Sequence, residues 1–223
     1  MAQKAIPIDP LIMKYDSETP DCSILVFAKA PISGEVKTRL IPLMNAEAAT
    51  TLHKELVLHT LRVAADSKAG SVELWCTPSV EHPFFIQCAE KFKVELHRQT
   101  AGDLGMRMAY AFHKTLEKNP MALLIGTDCP SLTSDDLKEA RKALKEGFLA
   151  VILPVEDGGY VLIGLRHYEP TLFEGVSWGT GSVLEETRER LRRLRWRWRE
   201  LPERWDVDRP EDVERLRNSG WIK

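Results

Sequence analysis

The chain has 223 residues, a formal charge of −2, 43% hydrophobic residues and 29% charged residues. At about 150 residues per domain this length fits one large domain or two small ones, and the composition excludes a mostly disordered or fibrous chain. The balance of 31 basic and 33 acidic residues also argues against a protein that works mainly by coating nucleic acid.

Membrane and secretion signals are missing from the sequence pattern. No apolar run approaches the roughly 18 residues of a transmembrane helix, and the first 20 residues lack the apolar centre of a signal peptide. The four cysteines, Cys22, Cys76, Cys88 and Cys129, form no CxxC pair. We therefore expect buried free thiols in a reducing compartment, and a cytoplasmic protein.

Residues 1–20 contain three prolines and no sustained periodicity, which predicts a flexible N-terminal extension. Residues 21–223 are expected to form a single domain. In this part short apolar runs predict strands at 23–30, 71–77, 93–97, 121–127, 148–155 and 160–166. Helices are predicted after Asn45, at 82–92, at 103–118, after Thr133, at 180–193 and from Asp208 onward.

Strands that alternate with helices indicate an α/β fold with a largely parallel sheet covered on both faces. Such sheets bind ligands in the crevice at the carboxyl ends of their strands. Residues that directly follow a strand are therefore the first candidates for a functional site.

The first strand leads into AKAPISGEVKTRL (28–40). This loop matches neither the P-loop nor the GxGxxG fingerprint. It nevertheless joins a flexible turn at Gly34 to two cations, Lys37 and Arg39, that could bind a phosphate. The alternative is a surface loop with solvated charges.

The strand MALLIGT ends at Asp128, within GTDCPSL (126–132). A carboxylate at the tip of a buried strand can hold Mg²⁺ or Mn²⁺, which prefer oxygen ligands and share them with phosphates. The alternative is a carboxylate that only bonds backbone N–H groups in a proline-containing turn.

In VEDGGYVLIGL (155–165), Asp157, Gly158 and Gly159 separate two strands. Taken alone, the stretch is more typical of a hairpin turn. The functional interpretation is that the glycines let a substrate approach the backbone while Asp157 accepts a hydrogen bond from an acceptor hydroxyl.

Near the end, DVDRPEDVERL (206–216) places Asp206 and Asp208 two residues apart. In extended backbone both would face one side, which favours a compensating cation or a helix N-terminus. The structural alternative is that Asp208 caps the last helix, with Glu211 three residues further on.

The segment 188–199 contains seven arginines interleaved with Trp196 and Trp198. This pattern could bind nucleic acid or acidic headgroups. Its period of two favours an edge strand with tryptophans on one face and arginines on the other. No HExxH pattern occurs in the sequence.

Six motifs in chain order resemble the GT-A-fold nucleotide-diphospho-sugar transferase superfamily, and within it the bacterial selenodomain-associated or arsenosugar-biosynthesis glycosyltransferases. They are FAKAPISGEVKTRL, QTAGDLGMRM, GTDCPSL, EDGGYVLIGL, GVSWGTGSVLEET and DVDRPEDVERL, and together they span about Cys22 to Leu216. The resemblance implies a three-layer α/β/α sandwich that binds a nucleotide donor.

The resemblance also implies roles for particular residues. Lys37 and Arg39 match the phosphate-binding loop, and Asp128 matches the metal-binding aspartate after the central strand. The late pair Asp206 and Asp208 would complete a Mg²⁺ or Mn²⁺ site. Base and ribose recognition would fall to Gln99, Gly102 and Asp103, while Asp157, Gly158, Gly159 and Trp178 would face a small acceptor.

One feature departs from that family. The usual DxD pair is replaced by Thr127, Asp128 and Cys129. This departure leaves Asp128 as a single metal carboxylate, gives the late pair more weight and favours nucleotidyl transfer. The resemblance as a whole still leads us to expect a metal-dependent glycosyl transfer from a nucleotide-sugar, with nucleotidyl transfer from a nucleoside triphosphate as the alternative. A non-enzymatic nucleotide- or nucleic-acid-binding module is the third possibility. No nucleic-acid partner and no membrane span are expected.

Overall fold

The computed structural model describes residues 21–221, so the predicted extension at residues 1–20 lies outside the described part. The fold is a seven-stranded sheet with strand order β3-β2-β1-β4-β6-β5-β7 and helices on both faces. The strands are β1 (Ser23–Lys29), β2 (Ser71–Thr77), β3 (Glu95–Arg98), β4 (Ala122–Ile125), β5 (Ala150–Pro154), β6 (Tyr160–Leu165) and β7 (Trp198–Glu200). The helices are α1 (Ile41–Met44), α2 (Ala46–Ser67), α3 (Pro83–Phe92), α4 (Leu104–Leu116), α5 (Ser134–Lys145), α6 (Val183–Arg193) and α7 (Pro210–Asn218).

The sheet is parallel except for β6, which pairs antiparallel with both β4 and β5. The reversal occurs because a tight turn rather than a helix joins β5 to β6. One large apolar core lies between the sheet and the helices α2, α3 and α5, and another lies under α4 and α6. The predicted α/β sandwich with a mostly parallel sheet is confirmed.

Local capping follows the sequence at two helices. Asn45 Oδ1 accepts from the backbone N of Ala48 at 2.9 Å and starts α2. At α5, Thr133 and Asp136 form the reciprocal capping box that their spacing predicts. The four cysteines are free and buried, also as predicted.

The predicted start of the last helix is wrong. Helix α7 begins at Pro210, and its capping carboxylate is Asp212, which accepts from the backbone N of Arg209 at 2.7 Å and of Asp208 at 2.9 Å. Asp208 therefore donates a backbone hydrogen bond to the cap and does not provide it. Its carboxylate is left for another partner.

None of the described helices is long and apolar enough to cross a bilayer.

Candidate functional site

Four carboxylates from three motifs meet at one edge of the sheet. Asp128 follows β4, Asp157 follows β5, and Asp206 and Asp208 follow β7. These three strands run parallel to one another, so their carboxyl ends lie together. All four side chains line one cavity of about 330 Å³, which we call the inner cavity.

Asp128 is held in place by a buried lysine. The Nζ of Lys37 lies 2.5 Å from Oδ1 of Asp128 and donates to the carbonyl oxygen of Val207 at 2.5 Å. The Lys37 side chain is only 4% exposed, whereas that of Asp128 is 53% exposed toward the cavity. Desolvation opposes ionisation of Asp128, but the charge of Lys37 outweighs it and holds the pKa of this carboxyl below its usual range. The phosphate contact predicted for Lys37 stays a prediction, because its observed partners belong to the protein.

The buried side chain of Val207 orients its two neighbours, Asp206 and Asp208, toward the cavity. Val207 is fully buried in a small core with residues of α2 and α7. Its backbone N donates to the carbonyl of Asp128 at 2.8 Å, which ties this segment to the end of β4. Because Val207 points into the protein, its neighbours Asp206 and Asp208 face the cavity, as the spacing of two predicts.

Asp206 carries the clearest electrostatic perturbation in the site. Burial raises its pKa to about 6, and the nearby charges of Asp157 and Asp128 add to the effect. The three carboxylates are therefore close enough to repel one another. Perturbed carboxyl groups of this kind, in a concave site, are typical of functional centres.

Asp208 is paired with a cation. Its Oδ2 forms an ion pair with Nη1 of Arg39, whose side chain is 62% exposed. Arg39 also lines the inner cavity. Each of the two cations predicted to bind phosphate, Lys37 and Arg39, is therefore engaged by an aspartate of the site, and their phosphate contacts stay predictions.

The predicted set of three metal ligands is not assembled. Among residues 21–221, no three His, Cys, Asp or Glu side chains are grouped so that they could hold a metal by themselves. All three predicted ligands line the inner cavity, but Asp208 is paired there with Arg39. Asp128 and Asp206 are the two that remain for a cation. Mg²⁺ is commonly bound by one or two carboxylates together with substrate phosphates and water. The two aspartates thus fit a cation shared with a phosphorylated ligand.

The glycine turn between β5 and β6 packs tightly against the start of α6. Asp157 Oδ1 accepts from the backbone N of Gly159 at 2.8 Å, and the Gly158 carbonyl accepts from the N of Leu184 at 2.9 Å. Gly158 has φ +87°, and a Cβ there would lie 2.2 Å from the carbonyl oxygen of Gly181. The hairpin turn is confirmed, and the contact fixes Asp157 beside the cavity.

A second cavity, the outer cavity of about 490 Å³, adjoins the inner one. Both cavities are lined by Arg39, Asp157, Asp206 and Asp208 together with Gly179 and Thr180. The remaining outer lining carries four charged side chains, those of Glu156, Arg209, Glu211 and Asp212, and is completed by Gly181 and Trp205. The inner cavity has an apolar floor instead. The carboxylates therefore form a shared rim between two compartments.

The residues predicted to recognise base and ribose have structural contacts. Gln99 is buried, and its Nε2 donates to the Trp75 carbonyl at 2.8 Å. Asp103 caps α4 by accepting from the N of Met106 at 2.8 Å, and the Gly102 carbonyl accepts from the Arg107 side chain at 3.0 Å. None of these three predicted residues lines the inner or the outer cavity. Their recognition roles remain predictions.

Two further predicted residues differ in their surroundings. Gly34 lies in the exposed loop after β1 with φ +82° and open space around it. Trp178 lines the inner cavity and packs against α4, where a Cβ on Gly105 would come within 2.5 Å of the indole Nε1. The packing role of Trp178 is therefore observed, and contact with an acceptor remains a prediction.

The arginine-rich segment is a structural element. β7 is an edge strand of the sheet, and Trp196 and Trp198 pack against the core under α4 and α6. On the other face Arg197 lies over the Phe148 ring at 4.2 Å, and Arg199 approaches Glu146 at 3.5 Å. The edge-strand interpretation is confirmed.

Sequence reasoning took His53 for a core-edge or surface residue and did not place it at the site. Its Nε2 lies 2.8 Å from the carbonyl oxygen of Lys29, next to the Lys37–Asp128 pair. Burial lowers the pKa of His53, while the Lys29 carbonyl and the charge of Asp128 oppose that effect. The only signal in the sequence was its place on the apolar face of α2 between Leu52 and Leu56. Thr180, on the cavity rim, lies within the motif GVSWGTGSVLEET, but the sequence analysis gave it no role.

The sequence matches one family of known proteins. The family described as "Uncharacterized protein conserved in bacteria (DUF2064)" matches residues 60–180, just over half of the chain. No curated protein matches the chain.

Solved structures share the fold. A protein of Desulfovibrio desulfuricans G20, provisionally described as a nucleotide-diphospho-sugar transferase, is 29% identical, covers 90% of each chain and has a TM-score of 0.80. A cytidylyltransferase of Leptospira borgpetersenii serovar Hardjo-bovis (strain JB197) is 18% identical over 91% of this chain and 88% of its own, with a TM-score of 0.57. Glucosyl-3-phosphoglycerate synthase of Mycobacterium tuberculosis, solved with Mn²⁺, UDP and glucosyl-3-phosphoglycerate, is 10% identical, with coverages of 88% and 75% and a TM-score of 0.53. At these last two identities the likeness concerns the fold alone.

Proposed function

The chain belongs to the bacterial DUF2064 family, and we propose that it transfers a glycosyl group from a nucleotide-diphospho-sugar to a small acceptor. The observation that carries the proposal is the meeting of Asp128, Asp157 and Asp206 on the rim of a cavity with an apolar floor. The likeness to the Desulfovibrio protein supports the same class of donor.

Asp128 and Asp206 are the residues we assign to a Mg²⁺ or Mn²⁺ ion. Such an ion, when bound together with the donor, supplies electrostatic stabilisation of the negative charge that develops on the leaving diphosphate. Lys37 contributes by keeping Asp128 ionised and fixed in orientation. Arg39, at the same rim, is the cation that can reach the diphosphate by exchanging its pairing with Asp208.

Asp157 is the residue we assign to the acceptor. Its Oδ1 is held by the backbone N of Gly159, so the carboxylate is oriented before any ligand arrives. An acceptor oxygen attacks the anomeric carbon, the bond from that carbon to the diphosphate oxygen breaks, and a nucleoside diphosphate leaves. The proton of the acceptor hydroxyl passes to Asp157.

The proposal is tested first by donor binding. Thermal unfolding is measured with a panel of nucleotide-sugars and nucleoside triphosphates, each with and without Mn²⁺, because a ligand of the native state raises the melting temperature. We expect a Mn²⁺-dependent rise with a nucleotide-sugar, which D128N abolishes. The matched control is D135N, since Asp135 lies on the surface of α5 and, within residues 21–221, forms an ion pair with Lys138 alone.

The leaving group then distinguishes the two chemistries. Release of a nucleoside diphosphate supports glycosyl transfer. Release of pyrophosphate from a triphosphate would replace it with the nucleotidyl-transfer alternative. A protein that binds a nucleotide but cleaves none would be the non-enzymatic module, and absence of binding by every nucleotide would refute the assigned donor site.

A further inference from the structure

The inner cavity combines an apolar floor with an acidic rim. The floor is built from side chains of β1, β4, β6, α4 and α6 and contains Phe27, Leu104, Met108, Leu124, Val161, Ile163 and Val183. The rim carries Asp128, Asp157, Asp206 and Asp208. At about 330 Å³ the cavity suits a small ligand that places an apolar portion on the floor and a polar group at the rim.

The charges around this cavity are unfavourable for an anion. Arg39 is the one cation among the described residues that line it, and Lys37 reaches Asp128 from the buried side. Both cations are already paired with carboxylates. Four carboxylates against two cations leave a formal charge of −2. A bound donor diphosphate adds about two negative charges, and a divalent cation cancels only that addition.

The lining of the outer cavity is also predominantly acidic. Its lining adds one cation, Arg209, but also three carboxylates, those of Glu156, Glu211 and Asp212. Glu156 is paired with Arg215 at 2.7 Å, and Asp212 caps α7. A phosphate monoester carries about −1.5 to −2 at neutral pH and is normally recognised by unpaired arginines or lysines. Among the described residues, the lining of the inner cavity presents no such group, and that of the outer cavity presents one, Arg209, together with the carboxylate of Glu211.

We propose that the acceptor is an uncharged or cationic small molecule without a phosphate group, with its apolar portion on the floor of the inner cavity. Its nucleophile is a hydroxyl or an amine that reaches Asp157 at the rim. This inference rests on the proposed glycosyl transfer and specifies its second substrate. It also separates the two chemistries, because nucleotidyl transfer to a phosphorylated molecule needs an acceptor phosphate as the nucleophile.

The test uses pairs of compounds that differ only in a phosphate group. With the donor found by thermal shift and with Mn²⁺ present, release of nucleoside diphosphate is measured with glucose and glucose 6-phosphate, glycerol and glycerol 3-phosphate, and ethanolamine and phosphoethanolamine. A protein-free bacterial metabolite extract, separated on an anion exchanger into retained and unretained fractions, is measured alongside. We expect acceleration by an unphosphorylated compound or the unretained fraction, at least about tenfold above its phosphorylated or retained counterpart.

Cavity variants locate the effect. Leu104 lines the inner cavity and is 41% exposed, so L104W narrows the cavity without burying a new side chain in the core. Leu43, on α1, is 48% exposed and lines neither cavity, and L43W is the matched control. L104W should remove most of the acceleration while the Mn²⁺-dependent donor shift persists, and L43W should change neither.

Three results would overturn the inference: acceleration by the phosphorylated compounds or the retained fraction, equal acceleration in L104W and wild type, or no acceleration by any compound or fraction while the donor binds. Failure of the proposed function itself would be seen earlier and separately, as the absence of any Mn²⁺-dependent donor shift.

Discussion

The ammonium group of Lys37 lies 2.5 Å from a carboxylate oxygen of Asp128 and is itself almost completely buried. The same ammonium donates to the carbonyl of Val207, so one side chain connects the loop after β1, the end of β4 and the segment before α7. Lys37 stands in the left-handed region with φ 48°, which is uncommon for a residue with a side chain. We infer that the backbone conformation is maintained because this three-way contact requires it.

We expect K37M to weaken both the fold and the candidate metal site. The substitution leaves the Val207 carbonyl without its donor and Asp128 without its counter-charge, at a cost of about 2 kcal/mol in the free energy of unfolding. Urea unfolding and Mn²⁺-dependent donor binding measure the two effects. K29M is the control, because Lys29 forms an exposed pair with Glu35. If K37M bound donor and Mn²⁺ as the wild type does, Lys37 would not position Asp128.

Alanine substitutions at two glycines of the site, Gly158 and Gly179, should destabilise the protein to different extents. Gly158 (φ +87°) and Gly179 (φ +80°) both have left-handed backbone, but only Gly158 lacks space for a Cβ. G179A should lower the free energy of unfolding by about 1–2 kcal/mol, because alanine is disfavoured in left-handed backbone. G158A should cost clearly more and displace Asp157, because the added methyl group meets the backbone of Gly181. Denaturant unfolding compares the two variants, and equal losses would contradict the packing argument.

Most of the fold could be predicted from hydrophobic runs and caps. The run SVELWCT coincides with β2, and Asn45 and Thr133 cap the helices that they were expected to cap. The start of α7 was missed because Asp208 and Asp212 can both serve as a capping carboxylate. In the structure Asp212 caps the helix, while Asp208 pairs with Arg39, which lies far away in sequence.

The residue types of the candidate site and its place at the carboxyl ends of the strands were predictable. Asp128, Asp157 and Asp206 each follow a strand, and parallel strands bring them together. Pairing between distant residues was not predictable, which is why Lys37 could be expected at a phosphate and is found on Asp128. The apolar floor also gave no local signal, since its side chains come from five separate elements.

The ion pair of Arg188 and Glu200 should make the free energy of unfolding decrease as the pH is lowered. The guanidinium donates to both carboxylate oxygens, at 2.9 and 2.6 Å, and holds the pKa of Glu200 below its usual range. A carboxyl whose folded pKa is lowered stabilises the protein above its unfolded pKa of about 4.3, and this contribution is lost as the pH falls through the folded pKa. E200Q should therefore lower the free energy of unfolding by about 1 kcal/mol at pH 7, and by progressively less at lower pH.

Urea unfolding at pH 7 and at pH values below about 4 measures this convergence. The control is E189Q, because the one ion pair of Glu189 in the described part of the chain is an exposed contact with Arg193 at 3.3 Å. A deficit of E200Q that stayed constant with pH would show that the lost contact is steric and not ionic.

Arg204 connects the late aspartates to the body of the fold from outside the cavity. Its guanidinium meets the Asp136 carboxylate at 2.6 and 3.1 Å, and the Asp136 side chain is only 6% exposed. Its backbone N donates to the carbonyl of Pro154 at 2.9 Å. Two residues further on the chain reaches Asp206. Arg204 itself lines neither cavity.

We expect R204M to impair the site without touching a ligand. The substitution leaves the nearly buried Asp136 carboxylate without its bidentate partner, which should lower the free energy of unfolding by about 3 kcal/mol. The segment before Asp206 also loses the ion pair that holds it to α5. Mn²⁺-dependent donor affinity should therefore fall severalfold, whereas D136N/R204M should recover part of the stability, because the uncompensated charge is removed with its partner. R204K tests the geometry, since a lysine cannot reproduce the two-point contact. Donor affinity is compared under conditions in which urea unfolding shows that R204M is folded. If R204M then bound the donor as tightly as the wild type does, Asp206 would be positioned by Val207 alone.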